Sequence, residues 1–485
     1  MLNKLRGLFN SQHGITAEAG YNAANPGLKR KNLGSRVRSA DNILTDEKRR
    51  RLQVSTRDLQ RNFAAAAWAI RHHLDLVSSF NFTCESQDET VNERVEELVE
   101  WWSRPLNFDS AARHSRRSFT RLVEMMRVLD GDVFTVKLAK GQLQAIEGDR
   151  VKNPVPLDVN QNWTHGIKVG AGGMMKAIAV HQRDRNGNYT FEREVSAANA
   201  VQIGYFDAFD QYRGVSPLAA AIEMFQDTEE VMDYQRAKSK VASLMALTIT
   251  REMSDLADES DEEEEEGDEG YKIDLSRGPL VVDMDPGDKM DIVESHTPST
   301  EFNAFNQVTL LIALKALDIP YSAFDESFST YYGSRAGFQQ YLISVRSKQS
   351  ALQEFLNRIT VWRLNKFIAD GVLVLPDGWT VNDLNFSYPP DGVQWWDPSK
   401  DSAADIMAIE AGLKTRTEVR KANFGDSWKD VIIKLKQEQD FINSVGVSVA
   451  PPPPPSPPTS ISEEEDVVPG TTEINDLPNT PPTVN

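Results

Sequence analysis

Apolar side chains recur at helical spacing over much of this chain. Between residues 46 and 77 they fall at positions 52, 59, 63, 66, 70 and 74, which predicts a single helix. The same spacing predicts helices over 89–102, 111–129, 300–317 and 336–369. Ser216-Pro217 supplies an N-cap and a first helical residue, and the helix that follows is predicted to run to residue 250.

Strand-like alternation is concentrated between residues 131 and 204. Strands are predicted at 133–138, 142–146, 176–181 and 189–195, and Asn186-Gly187 is typical of a hairpin turn between the last two. Shorter strands are predicted at 271–275, 278–283 and 371–375. Two final helices are predicted at 416–423, behind the capping box Thr415–Glu418, and at 428–443. The predicted fold class is α+β and predominantly helical.

The net charge of −19 belongs mainly to two segments of the 485-residue chain. Residues 252–269 hold twelve acidic and no basic side chains, and residues 450–485 hold six acidic and no basic ones. Residues 1–71 are basic, with 14 Lys and Arg against five Asp and Glu. Such runs are typical of solvated chain, so we expect a basic mobile arm, an acidic insert and a disordered Pro-rich acidic tail.

No pattern for catalysis, cofactor binding or metal binding is found. The closest approach to a P-loop, Gly170–Ala177, has its lysine without the following Ser or Thr that would hold magnesium. The single cysteine, Cys84, excludes a disulfide framework and, with scattered histidines, disfavours structural zinc. No apolar run reaches the length of a membrane span. We therefore expect no catalytic, cofactor or metal residues, no membrane partner, and a protein that is not an enzyme.

Six stretches in order give the chain a resemblance to a known family. They are Arg49–Asn62, Trp101–Asp109, Leu129–Phe134, Ile146–Arg150, Gln211–Pro217 with the helix Asp227–Lys238, and Ile319–Ala336. Together they resemble the portal proteins of tailed phages, in the lambda-type family, across roughly residues 45–446. The chain departs from the family pattern at Val77–Phe82, where a glycine-rich turn is usual, and in its long acidic insert.

The resemblance implies a portal-type subunit with an α/β wing, a helical stem, a small clip and a helical crown. The implied map is a basic arm at 1–45, wing at 46–215, first stem helix at 216–250, clip at 251–299 with the insert 252–269, second stem helix at 300–317, tunnel loop at 318–335, long wing helix and return strand at 336–395, crown at 396–449 and tail at 450–485.

The resemblance also implies a homo-oligomeric ring, generally of twelve subunits, at one vertex of a virion capsid assembled in the host cytoplasm. Double-stranded DNA would pass through it during packaging and ejection. The implied partners are the terminase large subunit, the major capsid or scaffolding protein, and a head–tail adaptor. Under this reading the oligomer contacts fall on Asp233, Tyr234, Arg236, Leu244, Phe302 and Phe305, and partner docking on Glu262, Glu263, Glu264, Glu265 and Glu266.

The tunnel loop is expected to face DNA without binding it. Residues 318–334 of the loop contain Asp318, Asp325 and Glu326 and no Lys or Arg, together with the bulky Tyr321, Phe324, Phe328, Tyr331 and Tyr332. Basic contacts to phosphate would add affinity and slow translocation, so an acidic and aromatic loop suits a sliding contact. Two alternatives remain: another structural head–tail adaptor or minor capsid ring protein, and a packaging nuclease or ATPase, whose metal or phosphate motifs are not visible.

Overall fold

The computed structural model describes residues 38–154, 162–244, 247–251, 288–292, 300–325, 327, 330–393 and 396–446. Most of the predicted N-terminal arm, the acidic insert, the strands predicted at 271–275 and 278–283, and the Pro-rich tail lie outside the described residues. The chain divides into two compact units, of which the first ends at Ser427 and the second begins at Trp428. The described part of the second unit is a single helix.

Helices account for most of the described chain. They are α1 (Ala40–Ile43), α2 (Asp46–Asn62), α3 (Ala64–Val77), α4 (Glu89–Trp102), α5 (Pro105–Phe108), α6 (Arg116–Asp130), α7 (Ile222–Leu244), α8 (Thr300–Leu314), α9 (Tyr331–Ala369), α10 (Pro398–Glu410), α11 (Arg416–Phe424) and α12 (Trp428–Val445). The predictions of helices at 89–102 and 300–317 are confirmed, the latter closing with a short 3₁₀ turn at Lys315–Leu317.

Four antiparallel sheets lie among these helices. The strands are β1 (Thr83–Cys84), β2 (Asp132–Lys137), β3 (Leu143–Glu147), β4 (Trp163–Thr164), β5 (Ile167–Val169), β6 (Met175–Arg183), β7 (Tyr189–Ser196), β8 (Ala200–Gly204), β9 (Leu247–Arg251), β10 (Asp288–Ile292) and β11 (Phe386–Ser387). The sheet orders are β3-β2-β8, β4-β5-β6-β7, β9-β10 and β1-β11. The hairpin around Asn186-Gly187 is confirmed, with Arg183 opposite Tyr189.

Three predicted helices have different starts or breaks. The helix predicted over 46–77 breaks at Phe63, whose extended backbone (φ −107°, ψ 112°) turns its ring onto Phe225. The helix predicted from residue 111 begins at Arg116, because the Asp109 carboxylate accepts the amides of Arg113 and His114 and holds that stretch as a loop. The long return helix α9 begins at Tyr331 and not at Ala336, since Thr330 caps it.

The first stem helix was predicted at 216–250 and is shorter than that. Ser216 caps a 3₁₀ turn at Pro217–Ala220, and α7 proper starts at Ile222. At the other end, residues 247–251 form β9 and pair with β10. The run Thr248-Ile249-Thr250 explains the change, because β-branched side chains are restricted in helices and favoured in strands.

The C-terminal region also differs from expectation. The return strand predicted at 371–375 is absent from that described stretch, where Gly371 (φ +71°) turns the chain and Val374 is exposed. Three helices follow where two were predicted, because α10 was missed. Its signal was in the sequence: Asp397 is its N-cap and Pro398 its first residue. The capping box of Thr415 and Glu418 at the start of α11 is confirmed.

One large hydrophobic core holds the first unit together. It contains buried side chains from α2–α4 and α6, from the β3-β2-β8 sheet, from the start of α7 and the end of α8, and from α9. Tyr341, Leu356 and Ile359 of α9 are buried in the same cluster as Ile70 and Leu74 of α3. The α7–β9–β10–α8 segment therefore leaves this core and returns to it. A second cluster, with Phe134, Ile146 and Ile178, lies between the two larger sheets.

Candidate functional site

Two of the motifs that carry the family resemblance pack backbone against backbone. Gly131, with φ +91°, lies against Gly214 of the Gln211–Pro217 stretch. A Cβ on Gly214 would lie 2.1 Å from the carbonyl oxygen of Gly131, and one on Gly131 would lie 2.5 Å from the carbonyl oxygen of Gly214. No side chain fits at either position, so this contact requires two glycines.

Arg213, next to this contact, is fully buried with Asp132. Its Nε donates to Asp132 Oδ2 at 2.7 Å and its Nη2 to Oδ1 at 2.8 Å. The remaining guanidinium donors reach the carbonyl oxygens of Val151 (2.8 Å), His165 (2.9 Å) and Gly148 (2.6 Å). A buried charge is tolerated when it is paired and its donors are satisfied, and this arginine meets both conditions.

Arg57 ties two further motifs to the same place. From α2 it donates to Asp130 at 2.8 and 2.5 Å, to Glu147 at 3.2 Å and to Asp149 at 3.3 Å. Four of the six family-like stretches thus meet in two neighbouring groups of ion pairs, around Arg57 and around Arg213, beside the Gly131–Gly214 contact. These residues hold the fold together, and the sequence alone did not reveal that they converge.

The loop between α8 and α9 begins at Asp318, which has a left-handed backbone (φ +63°). Its carboxylate accepts from Ser344 Oγ at 2.5 Å and from Lys348 Nζ at 3.0 Å, and Lys348 also donates to the carbonyl oxygen of Leu317. Burial raises the pKa of Asp318, but the hydrogen bonds from Ser344 and Lys348 outweigh it and lower the pKa overall. Lys348 of α9 therefore compensates the charge of Asp318, which the composition of the loop alone does not show.

The aromatic side chains of the loop are partly anchored. Phe324 meets Trp68 edge-on with centroids 5.2 Å apart, Trp68 stacks on His72 at 5.1 Å, and His72 stacks on Tyr341 at 5.9 Å. Tyr321 lies 5.9 Å from Phe324. This series of rings connects the loop to α3 and α9, so Phe324 positions the loop although 39% of it stays exposed.

The loop ends earlier than predicted, at Thr330 and not at residue 335. Because Thr330 Oγ1 accepts the amide of Gly333, Tyr331 and Tyr332 lie in the first turn of α9 and the loop ends at Thr330. Tyr331 lies 6.3 Å from Trp396, whereas Tyr332 is 78% exposed. Asp325 accepts from the amide and hydroxyl of Ser327. Glu326 and Phe328 lie outside the described residues.

The predicted assembly residues lie on α7 and α8, which contact each other. On α7, Asp233 pairs with Arg236, and the Tyr234 hydroxyl donates to Glu230 at 2.8 Å; all are exposed. On α8, Phe302 is half-buried, and Phe305 is 58% exposed. The side chain of Leu244 and the acidic residues Glu262–Glu266 lie outside the described residues, so their roles stay predictions.

An apolar groove of about 750 Å³ lies between α3, α7, α8 and the loop. Trp68, Met232, Leu310 and Phe324 are among its walls. Outside it, α8 exposes a row of large apolar side chains, Phe305, Val308 and Ile312, at helical spacing. The groove is lined by the opposite face of α8, with Asn303, Gln307 and Leu310, and we call the exposed row of Phe305, Val308 and Ile312 the α8 surface.

Neither metal nor membrane sites are found in the part of the chain that the structure describes. There, no three His, Cys, Asp or Glu side chains are placed to hold a metal ion. No helix among the described residues is long and apolar enough to cross a membrane.

The family resemblance is confirmed by comparison. A family model described as "Phage portal protein, lambda family" matches residues 28–349. Because this match covers well over half of the chain, the chain belongs to the lambda family of phage portal proteins. The protein is therefore a structural protein of the phage-portal type, which forms a channel at a capsid vertex. None of the curated protein sequences matches the chain.

Solved structures similar to this chain include parts of gene transfer agent particles. "Virion of native gene transfer agent (GTA) particle" matches with a TM-score of 0.45 and 14% identity, covering 76% of this chain and 92% of that one. "Neck of empty GTA particle computed with C6 symmetry" matches with a TM-score of 0.47 and 13% identity over the same shares. "Neck of native GTA particle computed with C12 symmetry" matches with a TM-score of 0.45 and 13% identity, again over the same shares.

Proposed function

We propose that this portal protein works as a homo-oligomeric ring, generally of twelve copies, and that double-stranded DNA moves through it during packaging and ejection. In this proposal the α8 surface contacts the neighbouring subunit and the loop Asp318–Thr330 faces the DNA path. The terminase large subunit, the capsid or scaffolding protein and a head–tail adaptor bind the ring from outside. Assembly takes place in the host cytoplasm before the ring becomes part of the virion.

The observation that carries this proposal is the α8 surface. Phe305 and Val308 are 58% and 56% exposed, and Ile312 is 45% exposed, on a helix that also borders an apolar groove. An exposed row of large apolar side chains of this kind marks an interaction site on a protein surface. In a ring, each subunit presents one surface to the neighbour on one side and a different surface to the other, which an exposed row on one face of α8 and a groove on the opposite face allow.

The loop charge supports a DNA path of low affinity. No Lys or Arg lies in residues 318–330, and Lys348, which contacts the start of the loop, is occupied by Asp318 and by the carbonyl oxygen of Leu317. Each additional phosphate contact from a basic side chain adds salt-sensitive affinity. A loop without free cations therefore allows DNA to move past it, and the exposed ring of Tyr332 adds bulk without charge.

Sedimentation of the purified full chain tests the assembly. The wild type is expected to sediment as a ring, and the variant Phe305→Glu combined with Val308→Glu as a folded monomer, because two carboxylates per subunit would have to be buried at the interface. Met174→Glu, which places a carboxylate on another exposed apolar side chain, is the matched control and should form rings. Rings of normal size in the double variant would contradict the proposed role of α8.

A further inference from the structure

A cavity at the C-terminal end of α9 contains an arginine without a partner. The cavity has a volume of about 580 Å³ and lies between α4 and the last turns of α9. Arg363, on its α9 wall, is only 6% exposed. Among the described residues no carboxylate or carbonyl group accepts a hydrogen bond from its guanidinium, and its Nε is buried without any acceptor. Its contact is with the ring of Phe367, whose centroid lies 4.0 Å from Cζ.

The other buried arginines of the described chain all have anionic partners. Arg213 is paired with Asp132, Arg127 with Glu124 at 2.7 Å, and Arg49 with Asp46 at 3.3 Å. Burying a charge without a hydrogen-bonded anionic partner is costly, and within the described residues only the Phe367 ring and the nearby charge of Asp370 offset part of that cost. Burial lowers the pKa of Arg363, and this effect outweighs the opposing effect of the Asp370 charge.

The position of this guanidinium is closely defined. Gly141, at the turn between β2 and β3, has φ +87°, and a Cβ there would lie 1.7 Å from Arg363 Nη1. Trp102 fixes that turn, because its Nε1 donates to the Gly141 carbonyl oxygen at 3.0 Å. The guanidinium is held between the Phe367 ring on one side and a turn that only glycine can form on the other. A group held in this way is preorganised for a ligand.

The charges at the cavity restrict which anion it accepts. Arg94 is already paired with Glu97 at 3.1 Å, and Lys366 lies 3.4 Å from Asp370. Glu97 and Asp370 also line the cavity, and their negative charges disfavour a dianion such as phosphate. A single planar guanidinium matches a single planar carboxylate, which it binds through two parallel hydrogen bonds.

The rim of the cavity is apolar. Trp101 and Val372 are each 43% exposed, and Val374, two residues further along, is 80% exposed. A free small anion would leave this apolar area in water, whereas a peptide would cover it. We propose that the Arg363 cavity binds the carboxylate side chain of an apolar peptide segment of a partner protein.

Peptide binding to the full-length protein tests this site. The probes are Ala-Leu-Glu-Leu-Ala, acetylated and amidated so that the side chain is its only carboxylate, and the same peptide with Gln in place of Glu. Titration calorimetry with the wild type should detect the Glu peptide and show at least about tenfold weaker binding of the Gln peptide. Equal affinity for the two, or tighter binding of inorganic phosphate, would overturn the proposal.

Two substitutions separate binding from folding. Arg363→Lys should weaken binding of the Glu peptide, because an ammonium group cannot form the two parallel hydrogen bonds to the carboxylate. Arg363→Met should abolish binding of this peptide. Arg121→Met, which removes an arginine paired with Asp75 outside the cavity, is the matched control and should bind as the wild type does.

Thermal unfolding and ring size complete the test. Because Arg363 has no hydrogen-bonded anion to lose and methionine can still pack on the Phe367 ring, Arg363→Met should unfold at the wild-type temperature or above it, whereas Arg213→Met should unfold well below. A marked loss of stability in Arg363→Met would mean that the arginine is structural, and the proposal would fail. A changed ring size in that variant would assign the cavity to a contact between copies of this chain, and the proposal of a separate partner protein would then fail as well.

Discussion

Lys348 Nζ lies 3.0 Å from Asp318 Oδ2, across the 30 residues that separate the end of α8 from the middle of α9. The same ammonium group donates to the carbonyl oxygen of Leu317 at 2.8 Å. One lysine thus closes the C-terminal end of α8 and neutralises the first acid of the loop between α8 and α9. The position of the loop depends on a residue that lies outside it.

Lys348→Met should loosen the loop without unfolding the protein. The substitution removes the donor to the Leu317 carbonyl group and leaves the Asp318 carboxylate with Ser344 as its donor, and because the carboxylate is more than half exposed the expected loss is only about 1 kcal/mol. Limited proteolysis should cut within residues 321–330 faster than in the wild type. Lys315→Met, which removes a nearby exposed lysine, is the control; equal cleavage in both variants would argue against this anchor.

Lysines in the loop should slow DNA movement. Asp325→Lys combined with Glu326→Lys changes the loop charge by four units per subunit, so attraction to phosphate replaces repulsion around the whole ring. DNA packaged per procapsid should fall at low salt and recover partly at high salt, while incorporation of the ring into capsids stays normal. Glu354→Lys with Asp377→Lys makes the same charge change at exposed acids elsewhere, and should package normally. Normal packaging by the loop variant at both salt concentrations would remove the loop from the DNA path.

Two glycine-to-alanine changes should have opposite effects. Gly214→Ala places a Cβ 2.1 Å from a backbone oxygen that cannot move aside, so the loss should reach or exceed the upper end of the ~1–3 kcal/mol typical of overpacked cores. Gly337→Ala lies inside α9, where the nearest atom to the new Cβ is 3.4 Å away, and should stabilise the helix by about 0.5–1 kcal/mol. Denaturant unfolding measures both changes. Equal stability of the two variants would contradict the Gly131–Gly214 contact.

The start of α2 should be held most firmly in mildly acidic solution. His165 Nδ1 lies 2.9 Å from Asp46 Oδ1 and its Nε2 lies 3.1 Å from the carbonyl oxygen of Asp41, so both nitrogens face acceptors and the protonated ring satisfies both. The hydrogen bond to Asp46 raises the pKa of His165, and the same bond lowers the pKa of Asp46 to about 2.

The direction of the pH effect follows from these two shifts. The His165 contribution is fully present below its ordinary pKa of 6.5 and is lost as the pH rises through the raised value. The Asp46 contribution is present above its ordinary pKa of 3.8 and is lost as the pH falls toward 2. Protease cleavage near residues 38–46 should therefore be slower at pH 5.5 than at pH 8. His165→Gln should abolish the difference, and a wild type without any difference would contradict this prediction.

The sequence predicted secondary-structure elements better than it predicted contacts between residues far apart in the chain. Periodicity located α4 and α8, and the Asn186-Gly187 turn located the β6–β7 hairpin, because these features depend on neighbouring residues. The break at Phe63 was not visible, since it arises from a ring that packs 162 positions away on Phe225. The end of α7 at Leu244 could have been read from the β-branched run that follows, but apolar residues at helical spacing obscured it.

The candidate site was predictable in outline only. The absence of Lys and Arg from the loop could be read directly from the sequence. The pairing of Asp318 with Lys348 could not, because that lysine lies on the next helix and no local pattern marks it. The resemblance marked the motif at Gln211–Pro217, but local patterns could not tell a functional arginine from a structural one. Only the buried pairing of Arg213 with Asp132 gives it a structural role.

The shared core also governs how a new subunit matures on the ribosome. Ile70 and Leu74 pack in the same cluster as Leu356 and Ile359, so the part of α3 that packs on α9 has no cover until α9 has been translated, although α2 and α6 cover the rest. At about 5–20 residues per second, the delay between these segments is roughly 15–60 s. During that interval the nascent chain exposes core surface, and a chain truncated after α7 would expose it permanently. Subunits should therefore become competent for assembly only after α9 has emerged, which makes the C-terminal half of the chain a checkpoint against premature association.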